Sequence, residues 1–409
     1  MKIKKLLKMS ALICLTLIIA AIPFMSGCSS GDKEETLKVG FSICYSGPAA
    51  SKGRPMGDGK LDCIEYINEE LGGVNGYQIE VLWRDNEYDG SKATTIINEL
   101  MNAGCLMFTT NSSAMMTASA TVANRESFPG FAVFSAPALT NPPQHIYAQM
   151  PDYGDDWAAF AEYYLENIWE GPGKPKMAMH LLNNSTGAGA RDAAEILAED
   201  MGIDIVAWEE HDSNTTSEID SITRIMAEDP DILYISSTPQ PTSIIVQNAV
   251  EKGLYPGITI ACGHASFTSV LVELAGEDAE GIYGVFPTVN WGDDVPAMEK
   301  MTEYCQANHP EDYGNMDYIT CWAEGLIVAE ILRLAVEAVG IENLTPQAVE
   351  EYGFQALNNF DVGGLHGPVS YTDGDNRLAK SVRIFQVQSG EIVPLTGWVE
   401  APLIPYTFD

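Results

Sequence analysis

Apolar and polar positions alternate along the chain in a way that predicts an α/β fold. From Leu37 onward, short apolar or β-branched runs alternate with longer segments in which apolar residues recur at helical spacing. This alternation is typical of parallel sheets with helices on both faces. The first series contains predicted strands at 37–43, 78–84, 105–109 and 132–135 and predicted helices at 56–71, 91–101 and 113–124.

A second series of the same kind begins after residue 152. Its predicted helices are 156–169, 188–201, 218–228 and 241–252, and its predicted strands are 176–182, 203–209, 232–236 and 258–261. Helices at 295–308, 318–339 and 346–357 follow, and then a hairpin whose strand 382–388 turns at Ser389-Gly390. The two series predict two doubly wound parallel-sheet lobes. Ligands of such sheets bind beyond the carboxyl ends of the strands, so the predicted site is a cleft between the lobes.

Three predicted strand ends of the first series carry hydroxyl groups, glycine or proline instead of charge. These ends are 44–48, 109–113 and 135–140. Ser112 and Ser113 also open a predicted helix, whose free N–H groups favour an anionic or carbonyl oxygen. Helix capping alone explains either serine taken singly. The coincidence of three such ends favours a ligand site.

The N-terminus has the pattern of an export signal. Four lysines precede an apolar run of about 15 residues, which is short for a bilayer-spanning helix of about 20 residues. Met25-Ser26-Gly27-Cys28 resembles a lipobox, in which cleavage precedes a lipidated cysteine, although an ordinary signal with an incidental cysteine is the alternative. We expect a lipoprotein signal peptide at 1–27, lipid attachment at Cys28 and a polar tether at 28–35.

Charge and composition narrow the function further. The formal net charge is −35, and removal of residues 1–27 with their four lysines and no acid makes it −39. A polyanion does not track phosphate backbones, so we expect no nucleic-acid partner. The six remaining cysteines lie far apart, without CxxC or a histidine at ligand spacing. We expect buried thiols, with a disulfide as the alternative, and no metal and no cofactor.

Enzyme signatures are absent from the sequence. It contains no GxGxxG after a predicted strand, no GxxxxGK[ST], no GxSxG and no HExxH. We therefore expect no catalytic residues.

At this level of detail the chain resembles the branched-chain amino acid-type, extracellular solute-binding proteins of ABC importers. The resemblance covers nearly all of the mature chain, and it is carried by short motifs in a fixed order. These are 39–41 with 46–48, 67–69 with 72–76, 85–86, 111–113, 135–142, 231–234 with 253–254, and 275–276 with Gly281.

The resemblance implies a type I periplasmic-binding fold whose two lobes are joined by a three-segment hinge and close on the ligand. Lobe one would comprise 36–152 and 287–378, and lobe two 153–286 and 379–400, with a tail at 401–409. The protein would be anchored on the outer face of the cell membrane, or on its periplasmic side. We expect it to be a monomer that delivers a small-molecule solute to ABC permease subunits.

The resemblance also implies ligand-binding residues. A turn matching Ser112-Ser113 and a loop matching Ala138-Leu139-Thr140 hold the ligand carboxylate or amide oxygen in the family. Tyr45 and Thr186 are further candidates, and so are Arg54, Asp152-Tyr153, Phe286 and Trp291, for each of which a surface or packing role is equally expected.

The second lobe departs from the family pattern. Where amino acid binders place an aromatic residue and an acid, this chain has Thr238, Gln240 and His264. An imidazole does not replace a carboxylate as partner of an ammonium group. The sequence therefore predicts a carboxylate, amide or aromatic acid as ligand instead of a standard α-amino acid. His264 either meets that ligand or lies in a loop outside the pocket.

Several functions stay open at this point. The first is a lipid-anchored receptor for an ABC importer, with an amino acid-binding protein of the same transport class as its alternative. A ligand sensor acting in trans keeps the same fold. An exported amide hydrolase would need a nucleophile–base pair, for which the sequence gives no sign.

Overall fold

A computed structural model describes residues 35–408 of the chain. The fold is built on two β-sheets. The predicted signal peptide and Cys28 lie outside the described residues. Residues 36 onward form one unit. None of the described helices combines the length and the apolar composition that crossing a bilayer requires.

The first sheet has five parallel strands in the order β2-β1-β3-β4-β5. The first strand is buried at six of its seven positions, as expected of a strand covered on both faces. The strands are β1 (Leu37–Ile43), β2 (Ile79–Asp85), β3 (Phe108–Thr110), β4 (Gly130–Ala132) and β5 (Ile146–Ala148).

The second sheet is mixed, with the order β12-β11-β10-β9-β8-β6-β7 and β13 paired to β11. Its first five strands in the chain are parallel, whereas β11 runs antiparallel to its neighbours β10, β12 and β13. The strands are β6 (Lys176–Leu182), β7 (Asp204–His211), β8 (Ile232–Ser236), β9 (Thr259–Cys262), β10 (Tyr283–Phe286), β11 (Ser381–Gln388), β12 (Glu391–Pro394) and β13 (Val399–Glu400).

Twelve α-helices lie in the described part of the chain. They are α1 (Ala50–Glu69), α2 (Gly90–Asn102), α3 (Ser113–Glu126), α4 (Pro137–Thr140), α5 (Tyr153–Asn167), α6 (Ser185–Met201), α7 (Ile219–Ala227), α8 (Pro239–Glu251), α9 (Ser269–Ala275), α10 (Met298–Asn308), α11 (Met316–Val339) and α12 (Pro346–Tyr352).

Apolar side chains cover both faces of each sheet, which makes both lobes doubly wound. On the first sheet, α1 and α11 cover one face and α2 and α3 the other. On the second sheet, α5 and α6 cover one face and α7, α8 and α9 the other. Helices α1 and α11 approach closely because Gly59 has no side chain: a Cβ there would lie 2.5 Å from the carbonyl oxygen of Tyr318. The predicted fold class is therefore confirmed.

The chain passes between the two sheets three times. It leaves the first sheet after β5, returns after β10 to pack α11 on α1, and enters the second sheet again at β11. Arg377, just before the third passage, pairs with Asp155 at the first, with 2.7 Å between Nη1 and Oδ2. The residue boundaries given above for the lobes stay predictions.

The structure adds elements that the sequence pattern did not predict. Strands β5 and β10 and helices α4 and α9 are short, and too few residues recur in them to show a period. Helix α1 begins at Ala50 instead of residue 56, with Pro55 inside it. The predicted helix 346–357 ends at Tyr352 and continues as a 3-10 turn at Phe354–Ala356. The six cysteines of the described chain are buried free thiols, the favoured prediction.

Candidate functional site

A small cavity lies where the carboxyl ends of the two sheets face each other. Cys44, Asn111 and Phe134 reach it just after β1, β3 and β4, and Thr186, Thr238 and Ala265 just after β6, β8 and β9. Its volume is about 30 Å³. The lobes as described therefore leave only a small space between them.

Hydroxyl groups join the two lobes at this cavity. Tyr153 at the start of α5 donates its hydroxyl to Ser113 Oγ at 3.0 Å, and Ser185 Oγ lies 3.0 Å from the same oxygen. Burial raises the pKa of Tyr153, which keeps its hydroxyl protonated as a donor. Ser113 therefore sits at the centre of a hydroxyl cluster with groups from both lobes around it.

The N-terminus of α3 orders this cluster. Ser112 caps the helix by accepting the N–H of Met115 at 3.4 Å. Ser113 is the first residue of the helix and is 2% exposed. Free backbone N–H groups at this end and the helix dipole make the position suitable for a ligand oxygen.

A second contact between the lobes lies beside the first. Asn184 Nδ2 donates to the hydroxyl oxygen of Tyr88 at 3.0 Å. Burial raises the pKa of Tyr88 to about 12, so this hydroxyl also stays neutral. Both contacts have to break or rearrange when the lobes separate.

The loop after β1 is held by an amide and a glycine. Asn111 accepts the N–H of Cys44 at 3.3 Å and donates to the carbonyl oxygen of Gly53 at 3.2 Å. A Cβ at Gly53 would lie 2.0 Å from the carbonyl oxygen of Cys44. Only glycine allows the first turn of α1 to approach β1 this closely.

That first turn carries Lys52 into the cavity wall. The residue is 6% exposed, its Nζ lies 2.5 Å from Asp317 Oδ1, and the ammonium group stands 4.7 Å from the ring centroid of Phe134. Burial raises the pKa of Asp317, and Lys52 opposes that shift. Among the described residues that line the cavity, Lys52 is the one charged side chain.

His264 lies behind the cavity wall. It is 0% exposed, and its ring stacks on Phe134 and Tyr153 with centroids 4.5 and 4.9 Å away. Its Nδ1 lies 2.7 Å from Asp156 Oδ2, and its backbone N–H donates to the same oxygen at 2.9 Å. Burial raises the pKa of Asp156 while His264 lowers it. Asp156 Oδ2 is thus occupied by His264, whereas Oδ1 is buried without a hydrogen-bond donor among the described residues, and Asp156 does not line the cavity.

The structure brings five of the candidate site residues to the cavity: Ser112, Ser113, Tyr153, Thr186 and Thr238. Thr140 is buried but does not line the cavity, and its Oγ1 lies 3.5 Å from the carbonyl oxygen of Pro137. Leu139 packs into the apolar core, and Ala138 is exposed.

Five further candidates do not line the cavity. Tyr45 donates its hydroxyl to Asp58 at 2.9 Å, and Gln240 is exposed beside a separate groove. The exposed Arg54 donates to the carbonyl oxygen of Tyr45, whereas Phe286 stands near Lys52. Trp291 donates its ring N–H to Asn315.

Sequence reasoning missed Lys52 and Tyr88. The segment before residue 56 reads as a loop because Pro55 interrupts the helical pattern, so Lys52 gives no sign of pointing into the cleft. Tyr88 follows the second strand end, which is the signal that could have found it. The recorded partners of Ser113 Oγ are hydroxyl groups, which suit binding and supply no general base for a nucleophile.

Comparison with known proteins gives a family match and a partial match to one relative. A model of the family described as periplasmic binding protein matches residues 36–391 of this chain. A leucine-, isoleucine-, valine-, threonine- and alanine-binding protein of Pseudomonas aeruginosa is 32% identical over 90 residues. That match spans 22% of this chain and 24% of the relative's length.

Two solved structures share the fold. A branched-chain amino acid ABC transporter protein from Thermus thermophilus with bound valine aligns with a TM-score of 0.82 and 19% identity, over 90% of this chain and 97% of that one. A fatty acid ABC transporter substrate-binding protein from Thermomonospora curvata aligns with a TM-score of 0.79 and 20% identity, over 90% and 93%. At such identities the likeness is one of fold.

Proposed function

The chain belongs to the periplasmic binding protein family, and from that premise we propose that it is the solute-binding receptor of an ABC importer. It captures a small organic acid or amide between its lobes and presents it to the membrane permease. The observation that carries this proposal is the hydroxyl cluster around Ser113, in which groups from both lobes meet within 3.0 Å. A ligand oxygen placed there would be held by both lobes at once.

The charge of the cavity wall supports an anionic or neutral polar ligand. Lys52 has three ammonium hydrogens and one recorded carboxylate partner, so it can also donate to a ligand oxygen. The nearby carboxylates Asp156 and Asp317 are paired with His264 and Lys52. No carboxylate among the described residues lines the cavity, so a ligand ammonium would lack an anionic partner there.

An α-amino acid remains the second candidate. The branched-chain amino acid ABC transporter protein of Thermus thermophilus shares this fold and holds valine. For this chain to bind such a ligand, Asp156 would have to turn its unpaired Oδ1 into the cavity to meet the ammonium group. A receptor that signals in trans would use the same cleft.

Ligand entry requires the lobes to separate, because hydrogen bonds between them now close the cavity. We propose that ligand atoms take over the contacts that now join Ser113 to Ser185 and Asn184 to Tyr88. Breaking two such hydrogen bonds costs about 1–3 kcal/mol, which ligand contacts can offset.

We place the receptor outside the cell membrane, anchored by lipid on Cys28 and acting as a monomer. The polar segment after Cys28 provides a tether, and the charge of the body keeps it away from anionic lipid. Replacement Cys28→Ser should move the protein from the membrane fraction to the soluble exported fraction. If both forms fractionate alike, Cys28 is not the anchor.

The ligand is tested on protein lacking residues 1–28. Ligand released by denaturation is identified by mass spectrometry, and a panel of carboxylates, amides, aromatic acids and standard amino acids is screened by thermal shift and calorimetry. We expect saturable, equimolar binding of one of the first three classes. Tight binding of branched-chain amino acids alone would overturn the ligand class but keep the receptor. Turnover of any bound amide would overturn the receptor function.

A further inference from the structure

A second cluster of polar side chains lies away from the cleft, between helix α1 and the segment that precedes α11. Asp58 comes from α1, His309 follows the last residue of α10, and Asp312 ends the 3-10 turn Pro310–Asp312. One ligand atom from each of these three residues lies within 4.8 Å of the other two. This cluster has no part in the proposed solute site.

The cluster concentrates buried carboxyl groups that have no lysine or arginine partner among the described residues. Asp58 is 5% exposed, Asp62 3% and Asp312 8%. In the described part of the chain, their recorded ion pairs are with His309 alone: Nδ1 lies 3.7 Å from Asp58 Oδ2, and Nε2 lies 3.5 Å from Asp62 Oδ1. Buried carboxylates are normally paired or bound to metal.

One oxygen in the cluster is left without a partner. Asp312 Oδ2 is buried and has no hydrogen-bond donor among the described residues. The neighbouring carboxylates, by contrast, are oriented: Tyr45 donates to Asp58 at 2.9 Å and Tyr318 to Asp62 at 2.6 Å. Outer hydrogen bonds of this kind commonly hold metal-binding carboxylates in position.

We propose that Asp58, His309 and Asp312 bind a divalent transition-metal cation, with Zn²⁺ the best match. One imidazole nitrogen and two carboxylate oxygens suit Zn²⁺, whereas Mg²⁺ and Ca²⁺ prefer oxygen ligands throughout. Ligands at about 2.0–2.2 Å from a tetrahedral ion lie about 3.4 Å apart, so the three groups need to close by roughly 1 Å.

The cluster is open to ions from one side. Asp312 lines a groove of about 1060 Å³ together with Trp291 and Tyr313. This groove gives an entry path and space for a water molecule as the fourth ligand. A bound ion would tie α1 to the segment before α11.

The test uses untagged protein that has been stripped with chelator and dialysed. Calorimetry and elemental analysis measure the binding of Zn²⁺, Mg²⁺ and Ca²⁺ near pH 7.5. We expect one equivalent of Zn²⁺ with micromolar or tighter affinity, and at least tenfold weaker binding of the other two ions. His309→Ala and Asp312→Asn should each weaken Zn²⁺ binding at least tenfold.

A matched control is His145→Ala, because His145 is also a partly exposed histidine beside a buried carboxylate, Glu350, at 2.8 Å. It should leave Zn²⁺ binding unchanged. Because His309→Ala and Asp312→Asn are tested separately, a folding defect in one of them does not decide the result. Circular dichroism checks the fold of each variant. Absence of Zn²⁺ binding, equal binding by all variants, or a preference for Mg²⁺ or Ca²⁺ would overturn the proposal. None of these outcomes bears on the solute site.

Discussion

Ser113 is the residue on which the proposed binding function depends most directly. Its hydroxyl contacts Tyr153 and Ser185 of the other lobe, and these contacts form only when the lobes are closed. A ligand oxygen bound here would replace one of these hydroxyl partners. The side chain thus contributes to the liganded state more than to the fold of either lobe.

Replacement Ser113→Ala should weaken ligand binding about tenfold, since one hydrogen bond to a ligand contributes about 1–1.5 kcal/mol. The melting temperature of the ligand-free protein should change little. Ser119→Ala is the matched control: Ser119 lies on the same helix and is equally buried, but its hydroxyl donates to the carbonyl oxygen of Met115. Calorimetry with the identified ligand makes the comparison. Equal affinities of wild type and Ser113→Ala would remove Ser113 from the site.

At residue scale, the sequence predicted the parts of the site that follow strand ends. Ser112, Ser113, Thr186 and Thr238 reach the cavity because parallel strands bring their carboxyl ends to one edge. His264 follows such an end too, yet its ring turns behind Phe134 towards Asp156. Side-chain direction depends on packing partners far away in sequence, and no local pattern contains it.

The cluster of Asp58, His309 and Asp312 could not be predicted from the sequence for a similar reason. His309 and Asp312 are close in the chain, but Asp58 comes from a helix near the other end. Metal-site patterns are recognised by short spacings, and a ligand set assembled by the packing of α1 on the segment before α11 has none. The expectation of no metal therefore rested on spacing alone.

The start of helix α1 determines which residues reach the cavity wall. The pattern predicted its start at residue 56, because proline is disfavoured within a helix. The structure starts it at Ala50, and the added turn carries Lys52 and Gly53. Long elements with strong periodicity, such as β6 and α11, lie close to their predicted bounds, whereas the turn that shapes the cavity does not.

Replacement Gly53→Ala tests whether this turn positions the cavity wall. A Cβ placed 2.0 Å from the carbonyl oxygen of Cys44 forces the turn away from β1, and Lys52 must move with it. Overpacking of this kind costs about 1–3 kcal/mol, so both stability and ligand affinity should fall.

The control for this prediction is Gly90→Ala, at the start of α2. There an added Cβ would meet only Ala118, at an ordinary 3.6 Å. Denaturant unfolding and calorimetry should show little change in this variant. If Gly53→Ala unfolds and binds as wild type does, the close approach of the first turn to β1 is not needed.

At the scale of the whole molecule, the alternation of strands and helices predicted two successive α/β series, one for each sheet. It could do so because periodicity reflects which faces are buried. Closure of the lobes could not be predicted. It depends on single contacts such as Asn184 with Tyr88, two residues that lie 96 positions apart and in different lobes. The acidity of the body likewise says nothing about the ligand, since the cavity wall itself carries the charge of Lys52.

Stability against acid is a further property of the whole molecule, and a buried histidine pair in the second lobe should set part of it. Nδ1 of His180 lies 2.9 Å from Nδ1 of His211, His211 Nε2 contacts Ser237, and Glu218 lies 3.4 Å from His180. Burial, and then His180, lowers the pKa of His211 to about 3. The folded protein therefore keeps His211 neutral at pH values where the unfolded chain, with a pKa near 6.5, binds a proton.

The free energy of unfolding should consequently fall as the pH drops from about 6.5 towards 3, by at most about 1.4 kcal/mol per pH unit from this residue. Other carboxyl groups titrate in the same range, so the informative quantity is the difference between wild type and His211→Gln. Urea unfolding between pH 7.5 and 4.5 measures it. At pH 7.5 His211 is neutral in both the folded and the unfolded state, and its hydrogen bonds should make wild type more stable than the variant. This advantage should shrink steadily as the pH falls, because the unfolded wild-type chain then binds a proton at His211. A difference that stays constant over this range would mean that His211 becomes protonated within the fold, and that the histidine pair opens without loss of structure.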